Sequence, residues 1–244
     1  MSLFTKLFHK KENPRPYCSA IIAAAGISER MEGEDKPFIE LCGKPILART
    51  LEAFQNCRSI DEIIIVARED RLVRVSDLCG AYHIDKASKI IVGGATRAES
   101  VSNGALAVSK AAQLIAIHDG ARPCVSPEII ERTVEAASMY HAAAPAVKLS
   151  STVKRVKNGV ITGTMDREDL VEIQTPQVFD APLIKAALKN SISKALMITD
   201  DCMAVELLGI PVRITEGSGH NIKITVKEDM VIAEAIIRKA ETCI

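Results

Sequence analysis

The stretch AIIAAAGISERMEGEDKPFIELCGKPIL, Ala20–Leu47, decides how the rest of the chain is read. It opens on an apolar run of strand length, Ala20–Ala25, and passes without a polar break into Ala23-Ala24-Ala25-Gly26. A loop of small residues directly after a buried strand lets the backbone approach a ligand closely, and its amides can hydrogen-bond a base or phosphate oxygens. Arg30 and Lys36 follow closely enough to fold over the same group. For a bound triphosphate, one cation would stabilise charge growing on the α-phosphate and the other the leaving pyrophosphate. Read alone, the same residues also describe any α/β strand ending in Ala and Gly, with Arg30 and Lys36 on a solvated loop. Neither GxGxxG nor GxxxxGK[ST] is present, which disfavours a dinucleotide fold and a P-loop NTPase.

Further apolar runs recur at Ile63–Ala67, Lys89–Val92, Leu114–His118 and Ala143–Leu149, with helical patterns between them. This alternation predicts a parallel sheet covered by helices. Leu47, Leu51 and Phe54 recur at i, i+4 and i+7, and Val101, Ala105 and Val108 repeat that spacing. Ser126-Pro127 supplies an N-cap and a first-turn proline ahead of the stripe Ile130, Val134 and Ala137. After Leu149 the rhythm changes. SSTVKRVKNGVITGTM reads as two strands around Asn158-Gly159, a dipeptide suited to a type I′ hairpin. An isolated two-stranded ribbon is marginal in water, so this arm is expected to pack on something, with a second copy of the chain the natural candidate. Helical pattern returns at Pro182–Asn190 and Asp201–Leu208, then short strands are expected at Val212–Glu216 and Ile222–Val226, and a helix over Lys227–Lys239.

At 244 residues, 48% hydrophobic and 25% charged, the composition is that of a globular protein, without a run long and apolar enough to span a bilayer. Thirty-one Lys plus Arg balance 31 Asp plus Glu, so no overall positive field attracts nucleic acid or an anionic membrane. The seven scattered cysteines include no CxxC pair and read as reduced, cytoplasmic thiols. The histidines lack ligand spacing, so no zinc site is expected. Residues 1–17 read as a flexible leader. Residues 18–244 read as a single domain carrying the β-arm at about 150–178.

Strand-AAAG, then S-x-R-M, K-P and G-K-P-I-L, resemble the signature of sugar-phosphate nucleotidyltransferases. GGATRAESV (Gly93–Val101), IHDGARPCV (Ile117–Val125), TPQVF (Thr175–Phe179), ITDD (Ile198–Asp201) and NIKIT (Asn221–Thr225) narrow this to a resemblance with the 2-C-methyl-D-erythritol 4-phosphate cytidylyltransferase family. The motifs keep their order from about Ser19 to the C-terminus.

The resemblance implies a Rossmann-like, mostly parallel α/β sheet flanked by helices, with an inserted antiparallel β-arm. It implies transfer of CMP from CTP to a small sugar-alcohol phosphate, with Mg²⁺ as cofactor and a homodimer joined through the arm. By the same resemblance, Arg30, Lys36, Arg167 and Lys223 carry the reaction. Ala24, Ala25, Gly26, Gly94, Ser100 and Asp119 bind the nucleotide, with Asp119 on the ribose or, through Mg²⁺, on the phosphates. Arg122, Thr152, Arg167, Thr175, Thr199 and Lys223 face the acceptor. Many relatives carry Asp where this chain has Ala95, which removes one polar side chain from the nucleotide loop. Read by themselves, Asp119 could instead cap the next helix, Arg167 could be a surface ion-pairing residue, and Thr199 could equally cap a helix. The competing activities are a ribitol 5-phosphate cytidylyltransferase and, in another class, a non-catalytic nucleotide-binding module.

Overall fold

In the computed structural model, which describes residues 15–26 and 35–242, every apolar run identified above is a strand of one sheet. In chain order the elements are β1 (Cys18–Ala23), the two-residue strands β2 (Glu40–Leu41) and β3 (Lys44–Pro45), α1 (Ile46–Asn56), β4 (Glu62–Ala67), α2 (Leu72–Ala81) and β5 (Ala87–Val92). There follow α3 (Arg97–Ala107), β6 (Leu114–Asp119), α4 (Pro127–Tyr140), β7 (Ala142–Lys148), β8 (Lys154–Lys157), β9 (Val160–Thr164), β10 (Val171–Ile173) and β11 (Gln177–Asp180). The chain ends through α5 (Ala181–Ser193), α6 (Asp201–Glu206), β12 (Arg213–Glu216) and α7 (Lys227–Thr242).

The main sheet runs β10-β7-β11-β6-β1-β4-β5, with β12 on the free side of β7. β1 pairs in parallel with both β4 and β6, and β5 continues the parallel run on β4. The chain leaves β1 toward β4 and β5, then crosses back to place β6 on β1's other side. That reversal is the switch point of an open α/β sheet, where a crevice opens beyond the carboxyl ends of the strands. The sheet is mixed because β11 lies antiparallel between β6 and β7. β11 is four residues long, the last three of the TPQVF motif followed by Asp180, so the sequence contains no apolar run that announces it.

Side chains of a strand alternate between faces, and both faces here are covered. Ala20, Ile22, Ile63 and Ile65 pack with Leu47, Leu51 and Phe54 of α1 and Ile130 and Val134 of α4. Ile21, Ile64, Val66 and Ile117 pack with Val101 and Ala105 of α3 and Ile184 and Leu188 of α5. Double-sided burial is why these strands read as continuous apolar runs and not as alternating ones. A smaller core of Leu41, Ile46, Ile224, Ala233 and Ile237 brings α7 back onto β2 and the start of α1.

Two local expectations change. Ile222–Val226 is not a strand. The Ile224 N–H donates to Ala121 O (2.8 Å), and the Asp229 carboxylate accepts from the N–H groups of Thr225 and Val226. These anchors hold the segment extended without a ladder. Ser126 does occupy the N-cap position of α4, so Asp119 is no helix cap, but the Ser126 side chain makes no capping bond. In the hairpin, Asn158 (φ 50°) and Gly159 (φ 76°) are both left-handed, as a type I′ turn requires.

The approach of α3 to the sheet depends on Gly104, where an added Cβ would lie 2.7 Å from Ile21 Cγ2 and 3.1 Å from Val66 Cγ2. Gly104→Val is expected to destabilise the protein by about 1–3 kcal/mol through overpacking, read as a lower urea midpoint with the far-ultraviolet spectrum retained.

Candidate active site

The carboxyl ends of β1, β4 and β5 enclose a cleft of about 560 Å³. Ala25 forms one side, Ala67–Asp70 a second, and Val92, Gly93 and Gly94 the third. Ala24 is held on the sheet by its N–H to Val66 O (2.8 Å), and Gly26 is exposed at the mouth. A Cβ on Gly93 would sit 2.7 Å from Ala25 Cβ and 2.8 Å from Ser100 Oγ, so only glycine permits this closeness. Thr96 and Glu99 form a reciprocal capping box that starts α3. Ser100 is buried. Its hydroxyl donates to Thr96 O (2.9 Å) and accepts the Gly94 N–H (3.0 Å), so it shapes the loop with the donor expected to meet a base.

Asp119, at the end of β6, is the electrostatic centre. Lys223 Nζ lies 2.7 Å from Oδ2, Arg97 Nη2 3.7 Å from Oδ1 and Arg122 Nε 3.9 Å from Oδ2. Burial pushes the Asp119 carboxyl up, but Lys223 and Arg97 outweigh it and hold the group below the ordinary carboxylate range. Arg97 is shared with Asp201, fully buried and 2.7 Å away. Burial lowers the Arg97 value less than Asp201 and Asp119 raise it, which keeps it firmly charged. At Asp201 burial dominates over Arg97, and that carboxyl is pushed up.

Gln177 holds Asp201 in place. Its Oε1 accepts the N–H groups of Asp201 and Cys202 (both 3.0 Å), and its Nε2 donates to Asp200 Oδ2 (2.9 Å). Asp200, not Thr199, caps α6, through Oδ1 to the Met203 N–H (2.9 Å). Thr199 is exposed, with its hydroxyl turned to Met203 Sδ (3.6 Å). Arg97, Asp201 and Gln177 lie within GGATRAESV, ITDD and TPQVF, but their part in the site comes from the fold. Arg97 and Asp201 are 104 residues apart, and no local pattern pairs them.

Behind Asp119 runs a buried relay. The Asp119 N–H donates to Thr175 Oγ1 (3.2 Å), Thr175 Oγ1 meets His118 Nδ1 (3.0 Å), and His118 Nε2 meets Arg122 O (3.3 Å). His118 is fully buried against Phe54, and burial lowers it from 6.5 to about 3. A neutral ring with the proton on Nε2 satisfies all three bonds. Thr175 thus supports the site from beneath. Asn221 Nδ2 donates to Thr175 O (2.9 Å), while Arg122 Nη1 donates to Asn221 O (2.6 Å), tying the segment that leads into β11 and the loop after β6 to the loop that carries Lys223. Burial lowers the Arg122 value, and its Nε has no hydrogen-bond partner.

Lys36 Nζ donates to Ile224 O (3.1 Å), which brings the signature lysine beside the Lys223 loop. Arg30 lies outside the described residues. Thr152 and Arg167 are exposed next to the hairpin, and Arg167 Nη1 donates to Ser150 O (3.1 Å). Among the described residues neither is bonded to the Asp119 cluster. Among the described residues no three His, Cys, Asp or Glu side chains converge as metal ligands.

The model of the 2-C-methyl-D-erythritol 4-phosphate cytidylyltransferase family matches residues 18–239. The chain is similar to the curated protein of that name from Halalkalibacterium halodurans, with 44% identity over 224 residues, 91% of this chain and 98% of the relative. It is similar to one from Dehalococcoides mccartyi at 41% identity over 221 residues, 90% and 96% of the two chains. Among solved structures, 4-diphosphocytidyl-2C-methyl-D-erythritol synthase from Anaerococcus prevotii superposes with a TM-score of 0.82 at 32% identity, covering 91% of this chain and 96% of its own.

The buried His118 has a thermodynamic signature. Below pH 6.5 the unfolded chain takes up a proton that the folded site refuses until about pH 3. Its contribution to stability is therefore complete above pH 6.5 and is lost as the pH falls, at up to about 1.4 kcal/mol per pH unit. Urea unfolding from pH 7 to 4.5 should show a steeper acid decline in wild type than in His118→Asn. Parallel curves would contradict the buried neutral ring.

Proposed function

The chain belongs to the 2-C-methyl-D-erythritol 4-phosphate cytidylyltransferase family, and we propose that the Asp119 cluster and the adjoining cleft carry out its reaction. The enzyme transfers CMP from CTP to 2-C-methyl-D-erythritol 4-phosphate in isoprenoid biosynthesis, forming 4-diphosphocytidyl-2-C-methyl-D-erythritol and pyrophosphate. The observation that carries the assignment of residues is the meeting of Lys223, Arg97 and Arg122 around Asp119, with Lys36 bonded to the adjoining Ile224 carbonyl, next to a cleft walled by glycine backbone.

In this reading the cytosine and ribose occupy the cleft between Ala25, Ala67–Asp70 and Gly93-Gly94. Main-chain groups of the glycine loop face the base, and Ala95 adds no polar side-chain atom. An acceptor phosphate oxygen attacks the α-phosphorus in line, and pyrophosphate leaves on the far side. That phosphate is already ionised near neutral pH, so catalysis rests on positioning and charge neutralisation, without a general base or covalent intermediate. Arg30 and Lys36 stabilise charge on the CTP phosphates. Lys223 and Arg167 hold the acceptor phosphate, with Arg122 bordering it. Lys223 must then exchange Asp119 for phosphate, and Arg97 remains to compensate the carboxylate.

Mg²⁺ suits this donor set. Magnesium keeps most of its shell from phosphates and water and takes one or two protein carboxylates. Asp119 would hold it, and the ion would neutralise charge on the CTP phosphates.

The hairpin supports a homodimer. β8 and β9 form a separate two-stranded sheet whose residues are all exposed, Val156, Val160 and Ile161 included. Such a ribbon gains stability by packing on another surface. Arg167 and Thr152 beside it would then complete the acceptor site of the neighbouring subunit. Cytoplasmic operation fits the unpaired thiols of the described cysteines, since a reducing compartment keeps them so. No helix among the described residues is long and apolar enough to cross a membrane.

Pyrophosphate release measured with CTP and Mg²⁺ should require methylerythritol phosphate and should not occur with ribitol 5-phosphate. Lys36→Ala and Lys223→Ala should each lower kcat/KM by about 100-fold or more, the scale of losing one transition-state charge contact; a loss of only a few-fold would remove that residue from the mechanism. If Arg167 serves the partner's site, mixing inactive Arg167→Ala with inactive Lys223→Ala under subunit exchange should restore about a quarter of wild-type activity, because half the dimers then hold one intact site. No recovery, with exchange confirmed by mass, would mean that both residues act within one chain.

A further inference from the structure

Asp35 directly precedes Lys36, and its carboxylate lies between two guanidinium groups, 2.7 Å from Arg71 Nη2 and 3.2 Å from Arg74 Nη1. The Arg74 guanidinium also stacks 3.8 Å above the ring of Phe38. The Phe38 N–H donates to Asp35 O (2.9 Å), closing the 3₁₀ turn Lys36–Phe38 onto the same carboxylate-bearing residue. Arg71 is buried, with 9% of its side chain exposed, and Asp35 is its one ion-pair partner among the described residues. This is no solvated surface pair, since loss of Asp35 would leave a buried cation uncompensated.

The location gives the contact its meaning. Arg71 follows immediately on Ala67–Asp70, the segment that walls the cleft, and Arg74 stands one helical turn further on. One stretch of chain, from the end of β4 into the first turn of α2, therefore borders the cleft and grips the residue that precedes Lys36. At its other end, Lys36 Nζ reaches Ile224 O (3.1 Å) on the loop that carries Lys223. A lysine is a point charge on a flexible four-carbon stem, and its placement depends on where its backbone is fixed.

We propose that Asp35, clamped by Arg71 and Arg74, is a positioning residue for Lys36 in cytidylyl transfer, registering the signature lysine against the wall of the nucleotide cleft. The proposal rests on the reading of Lys36 as a cation acting on the CTP phosphates. Asp35 itself touches no substrate. Its effect passes through Lys36, so it belongs in the turnover of bound CTP and not in the affinity for the acceptor.

The test is a double-mutant cycle on the full chain, with pyrophosphate release read under saturating CTP, methylerythritol phosphate and Mg²⁺. Asp35→Asn is expected to lower kcat by roughly 10- to 100-fold, the cost of a misplaced charge, with KM for methylerythritol phosphate within about twofold of wild type. Asp35→Glu, which keeps the charge, should recover most of the loss. In the Lys36→Ala background, Asp35→Asn should cost less than about twofold more. An equal loss in both backgrounds, or wild-type kcat in Asp35→Asn, overturns the proposal. Should circular dichroism show Asp35→Asn unfolded, Arg74→Gln replaces it at a largely exposed position. It is then expected to lose several-fold in kcat with Lys36 present and nothing with Lys36→Ala; an unchanged kcat refutes the clamp. Wild-type turnover in Lys36→Ala would refute the underlying reading of Lys36, an outcome separate from an active Asp35→Asn beside a crippled Lys36→Ala.

Discussion

A carboxylate placed almost out of solvent at the end of a central strand must find its counter-charges within the protein. Asp119 obtains them from three separate parts of the chain: Arg97 at the start of α3, Arg122 in the loop after β6, and Lys223 near the C-terminal helix. The sheet alone would leave this end open. The return of residues 221–226 across the site follows from the charge requirement together with the burial of Ile224 under α7. Burial and ion pairing thus act in the same direction, with the apolar anchor at Ile224 fixing the loop and its neighbour Lys223 supplying the charge.

Many of the polar groups around that centre bond one another, which restrains the site, while Arg122 Nε, Asp201 Oδ1 and Asn221 Oδ1 are left without hydrogen-bond partners. Gln177 clamps the start of α6, Thr175 bridges Asp119 to a neutral His118, and Asn221 joins β11 to Arg122. All of these depend on β11 lying between β6 and β7, because that position puts residues 174–177 beside the end of β6. In a low-dielectric interior each unmade bond in such a network is costly, so its members hold one another in a single arrangement. A preorganised set of donors and cations is what transfer between phosphates requires, since charge and alignment change more than covalent structure does.

Much of the frame is legible from the order of residues. Strands buried on both faces leave continuous apolar runs, and the helices over them leave i, i+4, i+7 stripes such as Leu47, Leu51 and Phe54. The position of β11 leaves no such trace, because a four-residue strand in a polar-flanked motif has too little apolar length to stand out. Ile222–Val226 misled in the opposite sense: its alternation is real, with Ile222 and Ile224 turned to the α7 core, yet it pairs with a single loop carbonyl and no strand. The motifs that hold Asp119 and Lys223 meet in an ion pair, and Lys36 reaches the Ile224 carbonyl beside Lys223. Arg97 and Asp201 escaped because a buried ion pair between residues 104 apart is a property of the fold and not of any window of sequence.

Ser100 has a structural task within its own loop. Its hydroxyl donates to Thr96 O and accepts the Gly94 N–H at the edge of the cleft. The consequence is a stiff glycine loop, closed further by the Thr96–Glu99 capping box. With Ala95 offering no polar side chain, the hydrogen-bonding groups this loop can present are those of its main chain. Selectivity built from backbone in a fixed position depends on the shape of the loop more than on the side chains it carries. Gly93 and Gly94, which no larger residue could replace without displacing Ala25, Ser100 or Glu99, are therefore the sequence record of that shape.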